Sequence, residues 1–266
     1  MHVGDNGGSK LVTAQSARCR DDLKGLPAAY ATWRESELGR ITDTLEQDLI
    51  LRRVGPPTGL RILDAGCGDG ILAVELAARG AQATGIDTSP GMIAAARQRA
   101  RGRGVSVDFE QAAVEALPFA AGSFDVVIAI TVLCFIGDAA GALGEMARVL
   151  KPGGRLIIGE LGRYSSWALV RRIKGWLGSP VWGNTHFRTR SEFTRLAIAA
   201  GLSDVSVSGA IFYPPIGIAA RLLGPIDRKM GACASLGAAF LMLNAAKSKS
   251  AETDTELLRV LAARLS

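Results

Sequence analysis

The sequence predicts an α/β fold in which a mostly parallel β-sheet carries helices on both faces. Three observations predict this class. Apolar strand-like runs alternate with helical runs between residues 60 and 160, and the connections between them are short. The run Phe124–Ile130 is almost entirely apolar, which is typical of a strand buried on both faces. Glycines at alternate positions, Gly66, Gly68 and Gly70, form a tight turn between the first strand and the helix after it.

Helical and strand-like patterns follow one another along the chain. From Tyr30 to Val54 apolar residues recur at three- and four-residue steps, which predicts a helix, and Gly55-Pro56-Pro57 ends it. Strands are predicted over Leu60–Asp64, Gln82–Asp87, Val105–Glu110, Phe124–Ile130, Arg155–Glu160, Val205–Ser208 and Ala238–Ala246. Further helices are predicted over Ile71–Arg79, Pro90–Arg101, Ala139–Leu150, Ser165–Leu177, Ser191–Ala200 and Thr253–Leu265. Gly178–Arg190 is predicted as a loop, and Gly209–Leu236 shows no pattern that assigns it.

Composition limits the class of protein. The chain has 266 residues, 48% of them hydrophobic, which is enough for a sizeable core and argues against global disorder. No uninterrupted apolar run reaches the roughly 18 residues that would predict a transmembrane helix. The four cysteines form no Cys-x-x-Cys pair. Neither a metal site nor a disulfide framework is therefore expected, and the expected location is cytoplasmic.

The positive charge is concentrated in one part of the chain. The net charge is +6, and residues 155–195 carry eight basic and only two acidic side chains. Such an excess can attract an anionic substrate or an acidic surface. A solvated helix face is the alternative interpretation.

The glycine turn and two carboxylates predict a ligand site. Glycine tolerates positive φ angles and lets a ligand approach the bare backbone, while the following helix presents its free N–H groups. Asp64 stands directly before the turn, where a carboxylate can accept hydrogen bonds from an amine or a hydroxyl. Asp87 ends the second strand, a position that suits a ribose diol in nucleotide-binding units.

Together with later motifs, these residues resemble the class I S-adenosylmethionine-dependent methyltransferases, in the branch called type 11. The resemblance rests on Leu63–Gly70, Gly85–Pro90, Leu117–Phe119 with Gly122–Val127, Glu145–Gly154 and Phe187–Gly201. It covers about residues 60–207 and implies a Rossmann-like seven-stranded sheet, mostly parallel with an antiparallel last strand. Nicotinamide-binding turns more often read Gly-x-Gly-x-x-Gly, whereas this turn reads Gly-x-Gly-x-Gly.

The resemblance implies S-adenosylmethionine as the cofactor and a set of residues that hold it. These are Asp64, Gly66, Cys67, Gly68, Gly70, Asp87, Thr88, Met92, Ala113, Val114 and Ile130. The family usually has an aspartate that binds the adenine amine where this chain has Ala113. Losing that hydrogen bond costs about 0.5–1.5 kcal/mol, which is survivable. Glu115 is the candidate substitute.

The resemblance also implies how the chain is organised. Residues 1–20 are expected to be a disordered tail, 21–55 an N-terminal helical lid, and 56–160 the cofactor-binding core. Residues 161–266 are expected to complete the same domain with the last strand. Two irregular insertions within them, about 161–190 and 209–236, are expected to cover the substrate.

No catalytic residue is assigned, because a sulfonium methyl is already activated and transfer can rely mainly on positioning. His186 and Glu160 are the candidates for a base. His186 is the only histidine outside the N-terminal tail, and Glu160 ends a strand at the edge where parallel sheets place their sites. An ordinary structural role remains the alternative for both.

The expected acceptor is a small molecule methylated on oxygen, nitrogen or carbon. Aromatic and basic residues interleave over Trp167–Trp176, which suits an apolar or anionic acceptor, or a lipid reached through peripheral membrane contact. Nucleic acid is not expected as a partner, because Ile130-Thr131-Val132-Leu133 replaces the Asn/Asp-Pro-Pro-Tyr block of nucleic-acid methyltransferases. A nucleic-acid methyltransferase is kept as a weaker alternative. A protein that binds the cofactor without transferring methyl is a further alternative. The oligomeric state is not predicted.

Overall fold

The computed structural model describes residues 32–233 and 235–249. The predicted tail 1–20, the first part of the predicted lid through residue 31, and the predicted helix Thr253–Leu265 lie outside these residues. None of the helices in the described ranges is both long enough and apolar enough to cross a bilayer.

The structure alternates strands and helices over most of its length. The helices are α1 (Glu37–Val54), α2 (Ile71–Ala78), α3 (Pro90–Arg103), α4 (Ala139–Val149), α5 (Ser166–Trp176), α6 (Pro180–Gly183), α7 (Arg190–Ala199) and α8 (Gly217–Cys233). The strands are β1 (Arg61–Ala65), β2 (Gln82–Asp87), β3 (Asp108–Gln111), β4 (Phe124–Ile130), β5 (Leu150–Leu161), β6 (Leu202–Ala210) and β7 (Phe240–Lys247). A 3₁₀ turn, Leu133–Phe135, follows β4.

All of these strands belong to one seven-stranded sheet with the order β3-β2-β1-β4-β5-β7-β6. The first five strands pair in parallel, and β7 is antiparallel to both β5 and β6. The predicted fold class, a mostly parallel sheet with an antiparallel last strand, is therefore confirmed. The strand order reverses between β1 and β4, and parallel sheets bind their ligands at the carboxyl ends of the strands beside such a reversal.

The core lies on both faces of the sheet because successive strand residues point to opposite sides. Leu63 and Leu156 belong to a cluster that includes residues of α4 and α7. Ile62 and Ile157 belong to a second cluster that includes residues of α1, α5 and α8. Burying each such side chain contributes about 1.5–3 kcal/mol, so both helical layers are held to the sheet mainly by apolar packing.

Two stretches with no predicted helix contain one. The loop predicted over Gly178–Arg190 includes the single-turn α6, and the stretch without a pattern includes α8. Pro225 lies inside α8, and an interior proline and its neighbouring glycine obscure the periodicity that identifies a helix. Gly224 has a packing reason, since a Cβ atom there would lie 3.3 Å from a side-chain carbon of Ile41 in α1.

A buried carboxylate of α8 fixes the chain where it leaves β6. Asp227 is 3% exposed, and its two oxygens accept the backbone N–H groups of Ile211 and Phe212, each at 2.8 Å. Ile211 has a φ of 62°, a conformation that β-branched residues rarely adopt. Next along the chain, the Tyr213 hydroxyl lies 3.0 Å from Thr42 Oγ1, and Trp167 Nε1 donates to the Tyr213 carbonyl at 2.8 Å. These bonds join α1, α5 and α8 at this end of the sheet.

We expect Asp227→Ala to lower the free energy of unfolding by about 2–4 kcal/mol, because two buried N–H groups lose a charged acceptor. Urea unfolding followed by circular dichroism measures the change. Asp108→Ala is the matched control, since Asp108 is exposed and its loss should change stability by less than about 0.5 kcal/mol. Equal losses in the two variants would contradict this role for Asp227.

Candidate active site

The glycine turn after β1 adopts a backbone that only glycine accommodates easily. Gly66, Gly68 and Gly70 have φ angles of 81°, 53° and 77°. A Cβ atom at Gly66 would lie 2.3 Å from Val132 Cγ2, and one at Gly70 would lie 2.7 Å from Ala96 Cβ, so both positions are closely packed. At Gly68 a Cβ atom would have nothing within 4 Å. The middle of the turn therefore borders open space, where a ligand can reach the backbone.

The turn is hydrogen-bonded to the end of β2. The backbone N–H groups of Gly66 and Cys67 donate to the Ile86 carbonyl at 2.8 and 2.7 Å. The Gly68 N–H donates to one oxygen of Asp87 at 3.0 Å, and the Ser89 N–H donates to the other at 2.8 Å. Burial raises the pKa of Asp87, while these N–H groups act in the opposite direction. A carboxylate oxygen can accept two hydrogen bonds, so Asp87 retains capacity for a ligand hydroxyl.

Asp64 carries the most informative polar atom of the site. Its side chain is 3% exposed, and Oδ2 has no hydrogen-bond partner among the described residues. Burial, followed by the charge of Asp87, raises the pKa of Asp64 to about 7, and a hydrogen bond from the Ala73 N–H opposes the shift. A buried, unpaired carboxylate oxygen is unfavourable unless a donor or a cation reaches it. The amine of an amino-acid ligand would supply such a partner, so this residue fits the cofactor that the sequence resemblance implies.

The segments that follow β2 and β3 lie side by side. Asp87 is in register with Gln111, and the Ala112 N–H donates to the Asp87 carbonyl at 3.2 Å. Gln111 Nε2 donates to the carbonyl of the exposed Thr88 at 3.0 Å. The structure thus brings the predicted adenine-flanking residues to one edge of the sheet, next to Asp87. Of these, Met92 and Ala113 are half-buried and Val114 is buried.

The departure at Ala113 leaves this edge without the usual acidic side chain. Ala113 has no side-chain acceptor, and its carbonyl receives the Ala116 N–H at 3.2 Å. Glu115, the candidate substitute, is exposed.

Glu160 was predicted as a candidate base, but the structure gives it a different role. Its side chain is 0% exposed, and it accepts three backbone N–H groups of the loop after β4, from Val132 at 2.9 Å, Leu133 at 2.6 Å and Cys134 at 3.1 Å. Burial raises the pKa of Glu160 to about 7, and the charge of Arg188 opposes that shift. The strand does end at the predicted edge, but the loop after β4 folds over the carboxylate and occupies it. Glu160 is therefore a structural clamp on this loop.

The clamped loop forms one wall beside the glycine turn. Ile130, the last residue of β4, is half-buried. Thr131 has a φ of 55° and donates its N–H to the Gly159 carbonyl at 2.7 Å. Val132 then packs against Gly66, as the close approach of its Cγ2 shows. A strained β-branched residue at this position is stable only because its neighbours hold it, and such strain is typical of functional sites.

His186 lies away from the glycine turn. Its side chain is exposed and lines a groove between α5, α6 and α7, while its backbone N–H donates to the Cys134 carbonyl at 2.8 Å. The structure therefore links this histidine to the clamped loop through the backbone and directs it to a different surface.

Sequence reasoning missed the ion pairs of Asp69. Asp69 Oδ2 lies 2.7 Å from both Arg34 Nη2 and Arg99 Nη2, so the glycine turn is tied to α3 and to the segment before α1. Trp33 packs edge-on against Trp167 with 6.3 Å between ring centroids. The sequence does show a charged residue, Asp69, inside the glycine turn, which indicates that it has an ionic partner. It does not identify that partner, because Arg34 is 35 residues away in sequence.

Comparison with known proteins agrees with this geometry. A family profile described as a methyltransferase domain, of the type 11 group, matches residues 63–158. Those residues run from β1 into β5 and include the glycine turn, Asp87 and the loop after β4. A SAM-dependent methyltransferase of Thermotoga maritima has a similar fold, with a TM-score of 0.66 and 22% identity, covering 86% of this chain and 100% of that one.

Curated relatives are more similar in sequence. The ubiquinone biosynthesis O-methyltransferase of Idiomarina loihiensis is 35% identical over 162 residues, which is 59% of this chain and 67% of the relative. The enzyme of the same name from Azorhizobium caulinodans is 34% identical over 202 residues, covering 73% of this chain and 79% of the relative. With this similarity, the matched profile and the fold, the chain belongs to the class I S-adenosylmethionine-dependent methyltransferases.

Proposed function

We propose that the chain methylates a hydroxyl group of a small aromatic acceptor with an apolar substituent, as in the formation of a ubiquinone precursor. The observation that supports this acceptor class is the similarity to two enzymes named ubiquinone biosynthesis O-methyltransferase. The similarity extends over 59% of this chain for the Idiomarina loihiensis enzyme and 73% for the Azorhizobium caulinodans enzyme. Ring hydroxyls must be methylated to give the methoxy groups of a ubiquinone, and its ring carries an apolar tail. An acceptor of this chemistry is both aromatic and apolar.

For the cofactor we propose a specific division of roles. S-adenosylmethionine, when bound, supplies an activated methyl group on a sulfonium. Asp64 would accept the hydrogen bonds of its amino group, because Asp64 Oδ2 is buried and has no partner in the described ranges. Asp87 would accept from the ribose hydroxyls, and the open backbone at Gly68 would lie against the methionine part. The remaining proposed contacts are Gly66, Cys67, Gly70, Thr88, Met92, Ala113, Val114 and Ile130.

The chain's own contribution to the reaction would be positioning. Glu160 holds residues 132–134 by three N–H groups, which fixes the wall next to the glycine turn. Rigid walls keep a bound nucleophile in line with the leaving group and exclude water. No described residue next to the glycine turn is proposed as a base.

We also propose that the enzyme reaches its apolar acceptor at a membrane surface. Exposed apolar side chains are concentrated in the segments 164–177 and 216–226, including Trp176 at 86% and Leu222 at 70% exposed. Basic residues accompany them, and such a combination favours an anionic lipid surface. Isolated exposed apolar residues are ordinary, whereas a concentration of them in two segments is typical of a binding surface.

The role of Asp64 predicts a pH dependence. A cationic amine favours the carboxylate form, so below the pKa of about 7 the binding of S-adenosylhomocysteine must release the Asp64 proton. Affinity should therefore rise as the pH increases from about 6 to about 8, by up to about tenfold per unit below the pKa. Isothermal titration calorimetry measures both the affinity and the proton release.

Two controls separate the titration of Asp64 from that of other carboxyl groups whose pKa is raised, such as Glu160. Asp64→Asn should remove the pH dependence of S-adenosylhomocysteine binding. 5′-Methylthioadenosine lacks the amino-acid part of the cofactor, so its affinity for the unaltered enzyme should not depend on pH in this range. The same slope in Asp64→Asn would assign the proton to another group and reject this role.

The acceptor class is tested by turnover. With S-adenosylmethionine, we expect the enzyme to convert an alkyl-substituted catechol into its monomethyl ether, detected by mass spectrometry. The value of kcat/KM should be higher than with unsubstituted catechol, mainly through a lower KM, because the apolar substituent adds about 0.8 kcal/mol of binding for each buried methylene. Methylation of an amine in preference to the catechol would reject the proposed acceptor. Tight S-adenosylhomocysteine binding without any turnover would favour the alternative of a cofactor-binding protein.

Membrane contact is tested by sedimentation with vesicles of phosphatidylglycerol and phosphatidylcholine. We expect Leu222→Glu to reduce the bound fraction strongly, because a charge replaces an exposed apolar side chain within the proposed surface. Ile198→Glu is the matched control, since Ile198 is 60% exposed but lies on α7, outside the two segments. Equal binding of the two variants would show that the apolar segments do not make the contact.

A further inference from the structure

A second candidate site lies in a groove between α5, α6 and α7. The groove has a volume of ≈ 930 Å³, which is large enough for a small molecule. Four arginines line it, Arg163, Arg172, Arg188 and Arg195, together with one acidic residue, Glu192. The groove therefore has a strong positive excess, within the part of the chain that also carries most of the net charge.

Two of the four arginines are already engaged. Arg163 Nη1 lies 2.9 Å from Glu192 Oε1, and its Nε donates to the Phe187 carbonyl at 3.0 Å. Arg188 is 9% exposed and donates to the Leu133 carbonyl at 2.9 Å. These contacts neutralise the one acidic residue of the groove and build its floor against the clamped loop after β4.

The other two arginines remain available. Arg172 and Arg195 are exposed, and neither guanidinium makes a hydrogen bond or an ion pair with another residue of the described ranges. The Arg172 guanidinium lies 5.4 Å from the centre of the Phe187 ring, which orients it along the groove wall. Two uncommitted guanidinium groups that line one groove match a ligand with two negative charges.

The groove also has an apolar aromatic side. Trp176 lines it and is 86% exposed, so nearly its whole ring is open to contact. Trp182 lines it as well and is held from behind by Arg171, whose guanidinium is 4.9 Å from the ring centre. An exposed indole next to uncommitted cations suits a ligand that joins an anionic group to an apolar part.

We propose that this groove binds the phosphate group of an ester with an apolar substituent. Arg172 and Arg195 neutralise the phosphate, and Trp176 packs against the substituent. None of the residues that line the groove belongs to the glycine turn or to the proposed cofactor contacts, so this inference does not rest on the proposed cofactor contacts. The phosphate could belong to a soluble ester or to a phospholipid headgroup, and the experiment separates these two sources.

The test uses the full-length enzyme at physiological salt, with phenyl phosphate as the soluble probe and phosphatidylglycerol vesicles as the lipid probe. Calorimetry and tryptophan fluorescence measure the first, and sedimentation measures the second. We expect R172Q/R195Q to weaken binding by about tenfold or more, because two charge-assisted hydrogen-bond donors are lost. R101Q/R190Q is the matched control, with the same change of charge at exposed residues of α3 and α7 that lie outside the groove and outside the two apolar segments. It should change binding by less than about twofold.

Each outcome decides the proposal. If R172Q/R195Q loses binding to phenyl phosphate but not to vesicles, the ligand is a soluble ester. If R172Q/R195Q loses binding to vesicles but not to phenyl phosphate, the ligand is a phospholipid headgroup. Absence of binding to both probes in the unaltered enzyme overturns the proposal, and so does equal weakening in the two double variants.

The cofactor site is followed separately in the same variants. S-adenosylhomocysteine should raise the melting temperature of R172Q/R195Q as much as that of the unaltered enzyme, which also shows that the variant is folded. If S-adenosylhomocysteine binds neither the unaltered enzyme nor the variants, the proposed cofactor contacts are rejected. The groove proposal is still tested by the binding of phenyl phosphate and of vesicles.

Discussion

The attachment of the glycine turn to the end of β2 is the constraint on which the site depends. Three successive backbone N–H groups, from Gly66, Cys67 and Gly68, donate to the last two residues of β2. This attachment brings Asp87 next to the turn and leaves the backbone at Gly68 open. It also sets the position of Asp64, one residue before the end of β1. Asp64 Oδ2 is buried without a hydrogen-bond partner in the described part of the chain, which makes it the clearest indication of where a ligand amine would bind.

Two buried carboxylates hold strained backbone at the carboxyl end of the sheet. Glu160 binds the N–H groups that follow Thr131, and Asp227 binds those of Ile211 and Phe212. Thr131 and Ile211 are both β-branched with positive φ angles, a combination that costs of order 1–3 kcal/mol each. In both places a carboxylate offsets that strain at the carboxyl end of the sheet. The loop beside the glycine turn and the chain that leaves β6 are therefore both held by hydrogen bonds to backbone as well as by packing.

Local patterns in the sequence predicted the strands, the glycine turn and the two strand-end aspartates, because each is encoded within a few neighbouring residues. They did not predict α8, since Pro225 and Gly224 interrupt its periodicity while tertiary contact with α1 supports it. The clamp role of Glu160 and the pairing of Asp69 with Arg34 depend on contacts across 26 to 35 residues. The arginine-lined groove is formed by three helices, and their packing cannot be predicted from local sequence patterns. The sequence showed only the excess of basic residues in this part of the chain.

The reversed direction of β7 has a practical consequence. Because this strand runs against its neighbours, it starts at the carboxyl edge, where Phe240 pairs with Leu161, and Lys247 reaches the opposite edge of the sheet. Lys247 Nζ there binds the carbonyls of Arg148 and Leu150. Eight residues of strand cover about 26 Å. A fluorophore attached at the neighbouring Lys249 would therefore stand well clear of the nucleotide-facing rim, and could report on the protein without disturbing it.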